Sequence, residues 1–372
     1  FQDWRPSLKL FAETSGKNAI VVSALADTEL AAKDLVRSAF GHSGQKCSAA
    51  SLGILEAEVY DDPMFRRQLR DAAASLKVGP SSDPAAIVTP VILEPDEKLG
   101  RALTTLDEGE EWLLEPKMSE DDPLLWSPGI KLGVKPGSWF HQNECFGPVL
   151  GLMRAEDLDE AVALQNAVAY GLTAGIHSLD EDEIQRWKAR VEAGNLYINR
   201  GITGAIVQRQ PFGGWKRSSI GPGAKAGGPN YVNLLRKCID REEAAVDVVR
   251  QDFRKAWESH FTVGHDPSGL RCESNVFRYR PSHGVILRLA ENNPRVEQLA
   301  AMASEVSGAP LVVSRAWEES DEELAARMAD LATRAEFLRT VDGPPADVVL
   351  RAVNEANLNW IDAPVSAVGR IE

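Results

Sequence analysis

"PVLGLMRAEDLDEAVALQNAVAYGLTAGIHSLDEDEIQRWKARVEAGNLYIN", residues 148–199, alternates short apolar runs with longer, acid-led amphipathic stretches. "PVLGLMR", "LTAGIHS" and "NLYIN" have strand composition, whereas "LDEAVALQNAVA" and "DEDEIQRWKARVEA" carry apolar residues at helical spacing. Acidic residues open both helical stretches, where the helix dipole favours them. Parallel strands need a crossover of a dozen or more residues, and helices of this length supply it. The stretch therefore predicts an α/β fold, a parallel-rich sheet flanked by helices on both faces.

The same grammar extends in both directions. Upstream, "NAIVVS" at 18–23 reads as a strand, and Asp27 or Thr28 can cap the helix "ELAAKDLVRSAF". A glycine-bounded loop follows, then a strand at 51–59 and the helix "DPMFRRQLRDAAASL", while the Pro-, Ser- and Asp-rich residues 79–100 read as loop. Downstream, the composition breaks after Pro229. "DREEAAVDVVRQDFRKAWESHF" reads as a helical connector, and "GVILRLAE", "RVEQLAAMASEVSG", "PLVVSR", "DEELAARMADLATRAE" and "DVVLRAVNEA" resume the alternation. Two domains are expected, residues 1–235 and a second, smaller α/β domain over 240–372.

Composition excludes several classes of function. Hydrophobic residues at 44% and charged residues at 26% are those of an ordinary globular chain. A net charge of -14 argues against a protein that lives by neutralising phosphates, so no nucleic-acid partner is expected. Cys47, Cys145, Cys238 and Cys272 are scattered, without Cys-x-x-Cys pairs or nearby histidines at ligand spacing. That pattern predicts no metal site and no disulfide framework, and a cytoplasmic location. No apolar run reaches membrane-spanning length, and "FQDWRPSLKL" has neither an initiator Met nor a signal-peptide pattern. The chain reads as a portion of something longer.

Cys47 lies in "GHSGQKCSAA", where glycine and small residues leave backbone amides free to face a ligand. By itself it reads first as a small buried hydrophobe. Glu13, in "FAETSGKNA", by itself reads as a solvated turn residue. The order Glu13, strand, helix, glycine loop, Cys47 is more informative, because such a unit folds back and can return both side chains to one sheet edge.

"ETSGKN", "GQKCSA" 34 residues later, and "ECFGPV" resemble the aldehyde dehydrogenase superfamily. "AGNLYINRGITGAIVQRQPFGGW" followed by "GPGAKAGGPNY" more narrowly resembles the L-glutamate γ-semialdehyde (1-pyrroline-5-carboxylate) dehydrogenases, including bifunctional proline utilisation proteins. The resemblance covers about residues 5–235. It implies that Cys47 is the nucleophile, passing through a thiohemiacetal and a thioester, and that Glu13 is the general base for hydrolysis. It further implies that Glu144 and Phe146 grip NAD, with most of the NAD site upstream of this chain, and that FAD is present only if a proline dehydrogenase domain is. Ser48, Ser218 and Ser219 are implied to bind the substrate, a small aldehyde, in a protein that is a homo-oligomer when full-length. Residues 240–372 resemble an appended aldehyde-dehydrogenase-like domain that covers or braces the catalytic half and has no nucleophile motif of its own.

The loop "GGWKRSSIGPGAKAGG", residues 213–228, combines six glycines with Lys216, Arg217 and Lys225, and reads either as an anion-binding concavity or as a plain linker. Lys17 and Lys46 can favour the Cys47 thiolate or simply serve solubility. His42 is expected to be solvated, Cys145 to be packing, and Trp139 and Trp215 to line an entrance or fill core. Three other readings stay open: another aldehyde dehydrogenase specificity, a cofactor-free cysteine acyltransferase or hydrolase, and a non-catalytic structural fragment.

Overall fold

The computed structural model describes residues 1–372 except 9, 208, 222–223, 236–243, 342 and 364–372, so Cys238 lies outside the described residues. They form two compact units. One comprises Glu13–Ala205 with Gly213–Ser219, the other Phe1–Ala12 with Ile206–Phe212 and Ile220–Glu372.

The first unit is built on β1 (Asn18–Val22), α1 (Thr28–Phe40), β2 (Ala50–Glu56), α2 (Pro63–Ala74), β3 (Glu111–Leu114), β4 (Gly129–Leu132), β5 (Val149–Ala155), α3 (Leu158–Asn166), β6 (Thr173–His177), α4 (Glu181–Arg190) and β7 (Asn195–Ile198). Its seven strands run in the order β3-β4-β5-β2-β1-β6-β7. All neighbours are parallel except the edge pair β3 and β4. This is the mixed α/β, parallel-rich sheet that residues 148–199 predict.

The sheet is buried on both faces, which is why its central strands read as unbroken apolar runs. All five residues of β1 are buried. Ala19 and Val21 join one core cluster, with Leu52, Met153 and Trp187, and Ile20 and Val22 join the other, with Leu35, Phe40 and Leu55. That split is the two-residue period of a strand. Trp187 of α4 is fully buried, and its indole N–H donates to Gln165 Oε1 at 2.8 Å, while Gln165 Nε2 donates to the Ala19 carbonyl at 2.9 Å. Two crossover helices are thereby tied to the central strand without leaving a buried polar group unpaired.

Local signals explain the element ends. The Asp27 side chain accepts the Leu30 N–H at the start of α1, and Asp157 and Asp180 do the same for α3 and α4. The strand expected over 51–59 stops at Glu56, and Ala57–Tyr60 form a helical turn that buries Val59 and Tyr60. β3 and β4 carry no strong strand signal. Lys131 of β4 is fully buried, and its charge is matched 3.0 Å away by the equally buried Glu110, so a polar residue interrupts what would otherwise be an apolar run.

The second unit holds α5 (Val246–Ala256), β8 (Val285–Leu289), α6 (Pro294–Ser307), β9 (Leu311–Arg315), β10 (Phe337–Thr340), α7 (Asp347–Glu355) and β11 (Asn359–Asp362). Its four-stranded sheet has the order β9-β8-β10-β11, all parallel. Asn293 caps α6, Pro294 occupies its first turn, and Gly308 ends it in the left-handed conformation at φ 73°. The strands "FLRT" and "NWID" are short and partly polar, so neither stands out in the sequence. Among the described residues, no helix is long and apolar enough to cross a membrane.

Candidate active site

Every candidate residue of the first unit lies at the amino ends of the parallel strands or in residues 213–219. Glu13 precedes β1, Cys47 and Ser48 precede β2, and Glu144 and Phe146 precede β5. Because β1 and β2 are parallel neighbours with Asn18 opposite Ala50, the segments that lead into them emerge side by side. The fold-back expected of strand, helix and loop thus brings the Glu13 and Cys47 segments to one edge of the sheet.

The Cys47 loop is fixed by a residue that the sequence did not single out. Asn18 Nδ2 donates to the Cys47 carbonyl at 2.8 Å and to the Ala49 carbonyl at 3.0 Å, and Asn18 Oδ1 accepts the Thr173 N–H at 3.0 Å. One buried amide therefore joins three neighbouring strand ends. Its only signal in the sequence is a polar residue opening an otherwise apolar strand. Before Cys47 the chain turns through His42 and Ser43, both in the left-handed region at φ 53° and 56°. At Gly44, φ is 69°, and a Cβ would lie 2.2 Å from the Gly147 carbonyl oxygen, so only glycine lets this loop approach the strand-leading segment.

Cys47 is solvent-exposed, yet the protein around it removes enough water to push its thiol pKa up. Hydrogen bonds from the Ser48 and Cys47 amides oppose that rise, and the negative charges of Glu144 and Glu13 add to it. The thiol is therefore not ionised in advance. Lys17 does not supply the missing positive charge: its charged neighbours are Glu144, Lys131 and Glu110.

The Glu13 carboxylate is exposed and held by residues 213–219. Gly214 N–H donates to Oε2 at 2.8 Å, and the Ser219 hydroxyl lies 3.3 Å from Oε1. Ser218 stitches the same two segments together. It is fully buried, its hydroxyl donates to the Ser15 carbonyl at 2.6 Å and accepts the Gly171 N–H at 3.0 Å, and its carbonyl accepts the Thr14 N–H at 2.9 Å. These bonds commit Ser218 to the fold, and of the two loop serines Ser219 keeps the more open position. Ser48 is buried next to Cys47, and its carbonyl accepts the Thr173 hydroxyl at 3.4 Å. Lys216 does not serve an anion site: its ammonium is bound to Glu192 at 2.6 Å and to the Asn166 carbonyl at 2.6 Å. Residues 222–223 of the loop lie outside the described residues, and residues from Ile220 onward belong to the second unit.

Glu144 is half-buried, and its Oε1 accepts the Gly16 N–H at 3.0 Å. Phe146 is 40% exposed and holds φ at 54°, a conformation uncommon for a bulky residue. Its carbonyl accepts a hydrogen bond from Gln45 Nε2 at 3.1 Å. Glu144 and Phe146 line a cavity together with Lys17, Lys46, Cys145 and Phe140. Cys145 is buried, with Sγ 3.6 Å from the Asn143 carbonyl, in keeping with packing. His42 is exposed, and Trp139 stacks against the Arg101 guanidinium, 4.3 Å from the ring centroid.

The family model that matches this chain, over residues 5–237, is that of the aldehyde dehydrogenase family. The chain belongs to the aldehyde dehydrogenase family. A curated 1-pyrroline-5-carboxylate dehydrogenase from Geobacillus sp. (strain WCH70) is 38% identical over 239 residues, covering 61% of this chain and 43% of that protein. The chain thus spans less than half the length of the curated relatives it matches. The solved structure of Proline Utilization A from Corynebacterium freiburgense superposes with a TM-score of 0.87 at 44% identity, over 99% of this chain and 38% of that one. A Thermus 1-pyrroline-5-carboxylate dehydrogenase solved with bound NAD gives a TM-score of 0.55 at 37% identity, over 60% of this chain and 43% of that one.

Proposed function

We propose that the natural gene product carrying this chain oxidises L-glutamate γ-semialdehyde to L-glutamate with NAD, using Cys47 as nucleophile and Glu13 as general base. The observation that carries this reading is the placement of both residues at the amino ends of register-paired parallel strands, with the Glu13 carboxylate held by the Gly214 amide. Relatives named 1-pyrroline-5-carboxylate dehydrogenase support the choice of substrate.

The Cys47 sulfur adds to the aldehyde carbon as its thiol proton passes through solvent to the carbonyl oxygen, and a thiohemiacetal forms, whose hydroxyl proton returns to solvent as the hydride leaves. NAD, when bound, accepts the hydride from that carbon, and an acyl thioester remains on Cys47. Glu13 then takes a proton from water as its oxygen adds to the acyl carbon, and the Cys47 thiolate leaves as the carboxylate product forms. The amides of Cys47 and Ser48, whose dipoles lower the pKa of the thiol, stabilise the departing thiolate. Ser48 and Ser219 are the serines we assign to the substrate, since the Ser218 hydroxyl is committed to Ser15 and Gly171.

The residues present fit a nicotinamide nucleotide. With one oxygen of Glu144 fixed by Gly16, the other can accept ribose hydroxyls, and the exposed Phe146 ring offers an apolar face to a nicotinamide. A flavin enters only where the gene product also has a proline dehydrogenase domain. Assembly as a homo-oligomer in a reducing cytoplasm completes the reading.

The test is NADH formation by the natural gene product supplied with glutamate semialdehyde. Cys47→Ala is expected to abolish the signal, and turnover retained in that variant would sink the assignment. Thioester hydrolysis without NAD, in the absence of aldehyde oxidation, would instead make the protein a cysteine hydrolase.

A further inference from the structure

Lys17 is a charged side chain in an unusual place. It is 3% exposed, and among the described residues its Nζ has no hydrogen-bond partner. The Nζ lies 4.0 Å from the centroid of the Phe140 ring, a contact that favours the ammonium but satisfies none of its three donors. Lys17 lines the cavity that it shares with Glu144, Cys145 and Phe146.

The same short segment reaches Glu144 twice. The Gly16 N–H holds Glu144 Oε1 at 3.0 Å, and the next residue places its charge within electrostatic reach of the carboxylate. The charged groups facing Lys17 come from several elements. Glu144 from the segment before β5 and Glu110 before β3 favour its charge, Lys131 of β4 opposes it, and Cys145, whose thiol burial keeps protonated, adds no charge of its own. Lys131 is itself paired with Glu110 at 3.0 Å, and of the two carboxylates Glu144 is the one that lines the cavity with Lys17.

We propose that Lys17 is a positioning residue for nucleotide binding, its buried ammonium drawing the Glu144 carboxylate toward the cavity where it accepts ribose hydroxyls. The proposal rests on the reading of Glu144 as the nucleotide-gripping residue. Burial supports it from another side, because it lowers the Lys17 pKa from 10.5 to about 8. The charge that organises Glu144 is therefore lost in mildly alkaline solution, and nucleotide affinity falls with it.

The experiment is NADH binding, followed by nucleotide fluorescence without substrate, on the natural gene product between pH 6.5 and 9.5. The wild type is expected to lose about tenfold in affinity as pH rises through about 8, the effect of losing one buried charge. Lys17→Met is expected to show the weak affinity at every pH, and Lys17→Arg, which stays charged, to bind tightly with a flat profile. Near-UV circular dichroism identifies any variant that does not fold, and the wild-type pH profile then decides alone. Weakened binding in Glu144→Gln with wild-type affinity and pH profile in Lys17→Met overturns the role of Lys17. Unchanged binding in Glu144→Gln overturns the reading of Glu144 instead, and the role of Lys17 falls with it.

Discussion

Asn18 Nδ2 and the Cys47 carbonyl oxygen are 2.8 Å apart, so a residue inside a central strand sets the position of the Cys47 loop. Replacing Asn18 with Leu removes this bond and also those to Ala49 and Thr173. Stranding buried carbonyls and an amide costs roughly 1–3 kcal/mol each when no water replaces the partner. Asn18→Leu is expected to lower both the thermal midpoint and kcat, whereas Asn18→Asp should keep the Thr173 acceptor and lose the two donors. Equal kcat in all three proteins would show that the loop needs no such anchor.

Glu13 is held by Gly214 N–H and lies near the Ser219 hydroxyl, so the proposed base is tethered within the loop and not left to solvent. If it serves the hydrolysis step alone, Glu13→Gln should still form NADH in a single-turnover burst and then stall. The steady rate is expected to fall about 10²–10⁴-fold, the usual contribution of a positioned general base. Mass spectrometry of the quenched enzyme should find the acyl group on Cys47, and a burst absent along with the steady rate would place Glu13 in the first half-reaction.

The architecture was legible because burial on both faces forces apolar runs, and because crossovers require helices between them. β1, α1, β5, α3, β6, α4 and β7 could all be read for that reason. β3 and β4 escaped because their charges are matched in space, Lys131 by Glu110, and no local pattern shows a partner 21 residues away. In the site, Cys47, Glu13, Glu144 and Phe146 stood out through motif order, but Asn18 and Lys17 did not. A buried amide or ammonium looks the same in sequence as an exposed one, and only the strand ends that converge on it give it meaning.

Ser218 and Ser219 are adjacent but differ in environment, and their variants should separate. Ser218→Ala leaves the buried Gly171 N–H and Ser15 carbonyl without the hydroxyl and should cost about 1–3 kcal/mol of stability. Ser219→Ala should leave stability within about 0.5 kcal/mol, as for a partly exposed substitution, and raise KM for the aldehyde. Denaturant unfolding and steady-state kinetics on both variants check the division, and the reverse pattern would return Ser218 to the substrate site.

His177 Nε2 sits 3.6 Å from Asp34 Oδ2, a spacing that suggests an ion pair. Burial argues otherwise: it lowers the His177 pKa to about 4 and raises that of Asp34, so both groups move toward their neutral forms. Between pH 6.5 and about 4 the unfolded histidine takes up a proton that the folded one refuses, so stability falls with pH, by about 3 kcal/mol at the lower limit. The raised Asp34 pKa acts in the opposite sense over the acid range. Unfolding free energies at pH 7, 5.5 and 4.5 should therefore fall in the wild type and fall less in His177→Gln. Parallel slopes would show that His177 titrates normally.

Lys17 gives the alkaline counterpart. Its pKa is about 8 in the folded protein and 10.5 when solvated, so below pH 8 the fold carries a desolvated charge at a cost of about 3 kcal/mol. Between pH 8 and 10.5 the unfolded chain binds the proton and the folded one does not, so wild-type stability rises with pH across that window. Lys17→Met removes the charge and keeps an unbranched side chain one atom shorter, and should be more stable than the wild type at pH 7. The difference should shrink as pH approaches 10.5, because the wild-type amine is then neutral in both states. A residue that lowers stability while tightening nucleotide binding would be retained for function. If Lys17→Met is instead less stable at pH 7, with no change in that deficit up to pH 10, the ammonium is a structural contact and its cation–π contact with Phe140 outweighs the cost of burial.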